Sequence, residues 1–344
     1  METGGIKLKY ILAILALGLL IIVHELGHFI MAKINKVKVE EFSIGMGPKI
    51  FTYQGKETKY SLSLLPVGGY VQMLGAHEDV DEEGSFNTKS PFRRLTIIIA
   101  GVVMNFILAI LIFTAVTVHF GYGETSISKL TDDGALKSAG LQEGDNITKI
   151  NGSKVFTYYD ITIATGSSKG EEMEISYERG GDKYEVTVTP KYLEDEQRYV
   201  VGATFNYNSD PSIIEGVKQS FKETATLVTQ TLKSIGNLIT GHGNFKTDLG
   251  GPVTVVNLSA QAAESGLWDL MNLVGLLSIS LAVFNLLPFP ALDGGWSVLL
   301  LIEMITKRKV PEKVVGVING IGFICLMALM VVVTVKDILF PASF

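Results

Sequence analysis

The sequence predicts a polytopic α-helical membrane protein with about four transmembrane spans and one inserted water-soluble module. Three observations predict it. Four apolar blocks, residues 10–32, 95–119, 267–305 and 314–338, are each long enough to cross roughly 30 Å of hydrocarbon. One polar stretch, residues 121–210, is long enough for a small soluble domain. Hydrophobic residues make up 47% of the 344 residues, and they are segregated into those blocks.

Charge and cysteine content narrow the class. The net charge is −6 and no basic stripe occurs, so no nucleic-acid partner is expected. The single cysteine, Cys325, excludes an intramolecular disulfide and a structural cysteine cluster, and is expected to serve packing. The first block is too long for a signal h-region and lacks a small-x-small cleavage site, so it is expected to be retained. Lys33, Lys36 and Lys38 follow the first block; Lys89, Arg93 and Arg94 precede the second; Lys307, Arg308, Lys309 and Lys313 join the third to the fourth. Those segments belong in the cytoplasm. The N-terminus, the soluble module and the C-terminus then lie outside, although Lys7 and Lys9 run against this assignment.

The first span, residues 10–32, carries "VHELGHF". An ionised carboxylate near the middle of a span costs about 2.5–3.5 kcal/mol on insertion scales, so something must offset Glu25. In a helix, residues four apart share a face, and His24 and His28 can direct ring nitrogens at one metal ion. Glu25 lies to the side of that pair, within reach of a water on the same ion. H-E-x-x-H is the zinc-hydrolase pattern: the ion acidifies water and polarises the attacked carbonyl, and the glutamate is the general base. A metal beside Glu25 would offset its charge.

Residues 33–91 form a cytoplasmic region. Its carboxylates Glu40, Glu41 and Glu57 show no helical pattern that would supply a third ligand. The stretch 77–83, with His77, Glu78, Asp79, Asp81, Glu82 and Glu83, is expected to be a solvated acidic loop. The second span, 92–119, contains Asn105, expected to face protein and hydrogen-bond there. Residues 122–206 alternate strand-like runs with turns: "SISKL", "NITKINGSKVF", "EMEISYE", "YEVTVTP" and "YVVGATF", with "ERGGDK" as a hairpin turn. "AGLQEGDNITKING" resembles the bacterial PDZ signature, which implies a PDZ-like α+β domain that binds extended chains at a sheet edge; a small β domain without a binding role fits the same strands. His119 and His242 are isolated and read as interfacial.

Residues 207–266 form an amphipathic juxtamembrane region. Ile213, Val217, Phe221, Leu227, Val228, Leu232, Ile235 and Ile239 recur at helical spacing, with Lys218, Lys222 and Lys233 between them. A helix on the outer membrane surface and a helix packed on the inserted domain both fit. The third block, 267–305, is too long for one straight span. Pro288 and Pro290 must break it, Gly294 and Gly295 loosen its far side, and Asp293 sits in the break. Irregular backbone at this depth must line protein or a cavity. His28 lies roughly 8 Å along a helix from Lys33, and Asp293 at most roughly 20 Å from Lys307, so both fall in the cytoplasmic half. Asp293 is the candidate third ligand; a helix-capping carboxylate is the alternative. The fourth span covers 314–340.

These residues carry a family resemblance. HELGH in the first span with N-x-x-P-x-P-x-LDGG in a later one resembles the site-2 protease family of intramembrane zinc metalloproteases, over nearly the whole chain. "FSIGMGPKIF" (42–51) resembles the family's glycine-containing loop and "SLSLLPVGGYVQMLG" (61–75) its membrane-associated β segment. "AGVVMNF" (100–106) resembles the second-span motif, and "GPVTVV" (251–256) a turn before the third span. The nearest subgroup is the bacterial PDZ-containing proteases that regulate sigma factors. The resemblance implies that His24, His28 and Asp293 hold Zn²⁺, that Glu25 is the base and that Asn285 contacts the substrate backbone. It implies transmembrane substrates such as anti-sigma factors, an upstream site-1-type protease that cuts first, and a site on the inner side of a bacterial cytoplasmic membrane with the PDZ domain outside. Val102 stands where the family often has proline, and Trp296 where relatives often have histidine.

Two other classes share parts of this pattern: a membrane-anchored PDZ scaffold without proteolytic activity, and a transporter, whose broken spans also carry midplane carboxylates. Glu25 separates them, because neither requires a base beside two ligands. No inverted repeat supports the transporter.

Overall fold

The computed structural model describes residues 2–76, 80–244 and 249–340. His77, Glu78 and Asp79 of the expected acidic loop lie outside them. The first elements are α1 (Glu2–Ile34), β1 (Val39–Gln54), β2 (Lys59–Met73) and α2 (Pro91–Phe120). Then come β3 (Tyr122–Leu130), α3 (Ala135–Ser138), β4 (Asn146–Ile150), β5 (Ser153–Lys154), α4 (Tyr158–Ser167), β6 (Met173–Arg179), β7 (Asp182–Val188), β8 (Lys191–Leu193), β9 (Arg198–Val200) and β10 (Ala203–Asn208). The chain continues through α5 (Ile213–Thr240), α6 (Pro252–Ser265), α7 (Leu267–Leu286), α8 (Asp293–Thr306) and α9 (Glu312–Leu339). Among the described residues four stretches are long and apolar enough to cross a membrane: Leu8–Ile34, Pro91–Phe120, Leu267–Leu286 and Lys313–Leu339. The chain forms two compact units, Met1–Ala109 with Thr231–Phe344, and Ile110–Gln230.

In the first unit, α1 and α2 cross at backbone contact. A Cβ added at Gly27 would lie 2.3 Å from the Ala100 carbonyl oxygen, the close approach that small residues permit between membrane helices. The buried Arg94 Nη2 donates to Glu303 Oε1 at 2.5 Å, so this arginine ties α2 to α8 rather than facing solvent. Helix α7 ends before Pro288 and Pro290. The turn is tight: the Phe289 N–H donates to the Leu287 carbonyl at 2.7 Å, and that of Leu292 to Phe289 at 3.2 Å. Ala291 holds a left-handed φ of 71°, and its N–H donates to Asn319 Oδ1 of α9 at 3.2 Å. A Cβ at Gly294 or Gly295 would strike the Leu287 or Phe289 carbonyl oxygen, at 2.1 and 2.3 Å. The LDGG glycines therefore admit the returning chain rather than loosening it.

Three expectations are corrected here. Residues 42–51 are no loop: they lie within β1, kinked by left-handed Gly45 (φ 83°) and Gly47 (φ 88°). Both strands of the hairpin double back, so Phe42 lies opposite both Val71 and Tyr60, and Tyr60 opposite both Phe42 and Tyr53. "GPVTVV" opens helix α6, with Gly251 as N-cap and Pro252 in its first turn, where a missing N–H costs nothing. The N–H groups of Gly251 and Thr254 donate to Asp337 at 3.2 and 2.9 Å. Cys325 is exposed rather than packed, like most of α9, whose apolar window is only 6% buried.

The second unit is the α+β module. Its sheet runs β10-β3-β4-β6-β7, with β5 on β4, and every pairing is antiparallel. Ile127, Leu136, Ile147, Ile161, Met173 and Ile175 fill its core. "ERGGDK" is the predicted hairpin, with both glycines at positive φ. "YVVGATF" is split: Arg198–Val200 pairs with β8 and Ala203–Asn208 with β3. Thr157 and Asp160 form a capping box at the start of α4. Asp160 also accepts from Thr226 of α5 at 2.7 Å. The periodicity in α5 is confirmed but its orientation is not that of a buried apolar stripe. Gly216, Gln219, Ser220 and Thr226 are buried, while Ile213 and Phe221 are 70% and 58% exposed. Ser220 bonds Thr114 of α2 at 3.1 Å. Helix α5 packs inward through its small and polar face.

Candidate metal centre

The helical period of α1 puts His24 and His28 one turn apart, their rings edge-to-face with centroids 4.8 Å apart. The chain break delivers Asp293 to the same point as the first residue of α8. Asp293 does not cap that helix: the N-cap is Leu292, and no side-chain cap bond forms. Its Oδ2 lies 3.1 Å from His24 Nε2 and 3.4 Å from His28 Nε2. The two Nε2 atoms are 3.2 Å apart.

These separations test whether the residues fit zinc. Zinc bonds of about 2.0–2.1 Å in a tetrahedron separate neighbouring ligand atoms by about 3.3–3.4 Å, close to the three distances found. The donor set of two imidazoles and a carboxylate, with a fourth position open, is that of a catalytic site. His28 Nδ1 donates to the Ile97 carbonyl at 2.9 Å, which leaves its Nε2 with a lone pair directed at His24 and Asp293. Asp293 Oδ2 is buried without a hydrogen bond. Three electron-rich atoms facing one another out of water are unstable unless a cation lies between them. Gly101 of α2 completes the cradle: a Cβ there would lie 2.5 Å from His28 Nε2 and 2.7 Å from His24 Nε2. The residues fit a zinc ion.

Glu25, Asn285, Tyr70 and Trp296 line one cavity of about 470 Å³ with these three residues. Gly69, on the final run of β2, approaches Glu25: its added Cβ would sit 3.5 Å from Glu25 Cγ. The carboxylates set aside on sequence grounds have other partners. Glu41 is bound by Lys49 at 2.5 Å and by Ser61. Burial pushes its carboxyl up, but those hydrogen bonds hold it below the usual carboxylate value. Glu57 pairs with Lys33. Asn105 is fully buried and faces protein as expected, with Nδ2 3.2 Å from His24 Nδ1. Trp296 lines the cavity and packs against the buried cluster that includes Ile97 and Leu300. Sequence alone does not single out Ile97 or Gly101, because one acts through a backbone carbonyl and the other through an absent side chain.

The peptidase family M50 model matches residues 12–329. The chain belongs to that family, the site-2 proteases, and is a zinc metalloprotease. A candidate zinc metalloprotease of Clostridium perfringens (strain 13 / Type A) is 43% identical over 331 residues, covering 96% of this chain and 98% of its own. The zinc metalloprotease RasP of Geobacillus kaustophilus (strain HTA426) is 31% identical over 408 residues, 94% of this chain and 96% of its own. The regulator of sigma-W protease RasP of Bacillus subtilis (strain 168) is 30% identical over 410 residues, 94% of this chain and 97% of its own.

Proposed function

We propose that His24, His28 and Asp293 hold the zinc of this M50 peptidase and that Glu25 is its general base, in an endopeptidase that cuts within transmembrane segments. The supporting observation is the convergence of the three ligand atoms from helices of membrane-spanning length. When bound, zinc supplies Lewis-acid activation of water and of the attacked carbonyl. Glu25 takes a proton from the attacking water and returns it to the leaving amine. Asn285 offers its side-chain amide to the substrate backbone in the same cavity.

A helical substrate hides its carbonyls in its own hydrogen bonds, and unwinding it in hydrocarbon leaves groups that need partners. A sheet edge supplies them. The doubled hairpin decides which edge is open. Residues 59–62 are flanked by 41–44 on one side and 51–54 on the other, whereas residues 69–73 pair only with 39–44 among the described residues. The run Gly69–Met73, beside Glu25, is the proposed receiving edge, in preference to the doubly flanked residues 59–62. Natural substrates are anti-sigma factors or similar single-span proteins already cut by a site-1-type protease, and Bacillus subtilis RasP, a regulator of sigma-W by name, supports that class. The lysine and arginine distribution supports a bacterial cytoplasmic membrane location, with the metal site towards the cytoplasm and the PDZ-like module outside.

The deciding experiment uses the full chain in detergent with a transmembrane peptide substrate. Glu25→Gln is expected to keep zinc and lose cleavage by roughly 10²–10⁴-fold, the range for removing a general base. Undiminished cleavage by a zinc-loaded Glu25→Gln protein overturns the assignment of the base.

A further inference from the structure

We propose that one face of α2 is the supporting half of the metal site, and that Asn105 is the positioning residue that fixes the ring of His24 for metal binding. The proposal rests on the ligand set given above and extends it to residues that touch no ion.

Residues 97, 101 and 105 are four apart and share one face of α2. Each meets the two histidines differently. The Ile97 carbonyl accepts the Nδ1 proton of His28 at 2.9 Å. Gly101 offers no side chain where a Cβ would press on both Nε2 atoms. Asn105 places its amide against His24 Nδ1 at 3.2 Å. A ligating imidazole carries its proton on the nitrogen away from the metal, and the acceptor of that proton fixes the ring. For His28 the Ile97 carbonyl has that role. For His24 the acceptor that lies at hand among the described residues is Asn105, whose Oδ1 is buried with no partner. With Nδ2 towards the ring, as the amide is placed, the His24 proton would be driven onto Nε2 and point at His28 and Asp293. A half-turn of the amide sets Oδ1 against Nδ1–H and frees Nε2 to ligate; amide oxygen and nitrogen are told apart by such networks. The position is anchored from a third helix, since Ser278 Oγ of α7 donates to the Asn105 carbonyl at 2.9 Å.

The order is therefore acceptor, gap, acceptor, two turns of one helix matched to one turn of another. Leucine at 105 is close to asparagine in size but offers no acceptor. Aspartate keeps the acceptor and loses the donor.

The test measures zinc retention by the full chain in detergent against a graded chelator. Asn105→Leu is expected to weaken zinc binding 10–100-fold, the range for losing such a partner. Asn105→Asp should bind within a few-fold of the parent. In histidine ¹⁵N spectra of the zinc-loaded proteins, the His24 Nδ1 resonance is expected to shift in Asn105→Leu and to stay near the parent's in Asn105→Asp, a pattern that a purely structural asparagine does not require. If Asn105→Leu and Asn105→Asp weaken zinc equally, or if Asn105→Leu matches the parent, the positioning role is wrong. His24→Ala is measured beside them: retained zinc in that variant overturns the ligand set itself and so separates the two failures. Should Asn105→Leu fold poorly, Asn105→Ala is measured in its place, and zinc affinity and a His24 Nδ1 resonance both equal to the parent's in that variant overturn the proposal.

Discussion

Asp145 of the α+β module and Asp293 of the membrane unit are both largely out of solvent, and their surroundings are opposite. Asp145 receives Arg179 through two nitrogens, both at 2.7 Å, and the Gln142 N–H at 2.8 Å. Asp160, in the same module, accepts from the N–H groups of Phe156 and Thr157 and from Thr226. Asp293 faces two imidazoles, and its inner oxygen accepts no hydrogen bond. A buried acid with a complete set of donors is a structural element; a buried acid aimed at other ligand atoms needs a cation from outside the chain. The difference separates the part of the molecule that holds itself together from the part that is completed by something it binds.

The comparison breaks most visibly if the two acids are exchanged for alanine. Asp293→Ala is expected to abolish zinc binding and cleavage, while the module's thermal unfolding stays where it was. Asp145→Ala is expected to keep the zinc content and destabilise the module by about 1–3 kcal/mol, since the half-exposed Arg179 and the Gln142 N–H lose their acceptor. Zinc analysis beside calorimetry reads both, and zinc loss in the Asp145 variant would erase the distinction. A second acid of the module sharpens it. Asp160→Asn leaves one acceptor oxygen and introduces donors facing donors, and is expected to cost about 1–3 kcal/mol with loss of the capping box at α4, again at constant zinc.

What was legible in the sequence follows the same division. HELGH stands out because a four-residue period places two candidate ligands on one face and because every member is costly in hydrocarbon. Asp293 stands out because two prolines break an apolar run beside it. The strands of the module follow from alternation and from the Gly-Gly turn. The doubled register of the β1–β2 hairpin was not legible, since alternation gives strand and face but not how often a strand is reused. Helix α5 shows its period plainly, yet period alone does not say which side faces the protein; Gly216 and Ser220 allow close packing where the aliphatic residues would not. Ile97 and Gly101 leave no chemical signature at all.

The smallest expected effect concerns Glu223 of α5. Burial pushes its carboxyl up to about 7, more than hydrogen bonds from Gln219 and Thr117 lower it. The folded module then binds this proton more tightly than the unfolded chain does, so its stability declines as pH rises from about 4.5 to about 7 and levels off above. Glu223→Gln is expected to flatten that decline and to stabilise the module by on the order of 2 kcal/mol at pH 8. Urea unfolding at pH 5 and pH 8 measures it; an unchanged pH slope in the variant assigns the decline to another group.

Asp337 gives the Gly251 N–H its acceptor from 86 residues further along the chain. During synthesis, the start of α6 therefore emerges long before the carboxylate that accepts from it, with the turn that carries Asp293 and most of α9 made in between. A chain cut short before residue 337 would keep the HELGH helix and the turn at Asp293 but leave the start of α6 without this acceptor.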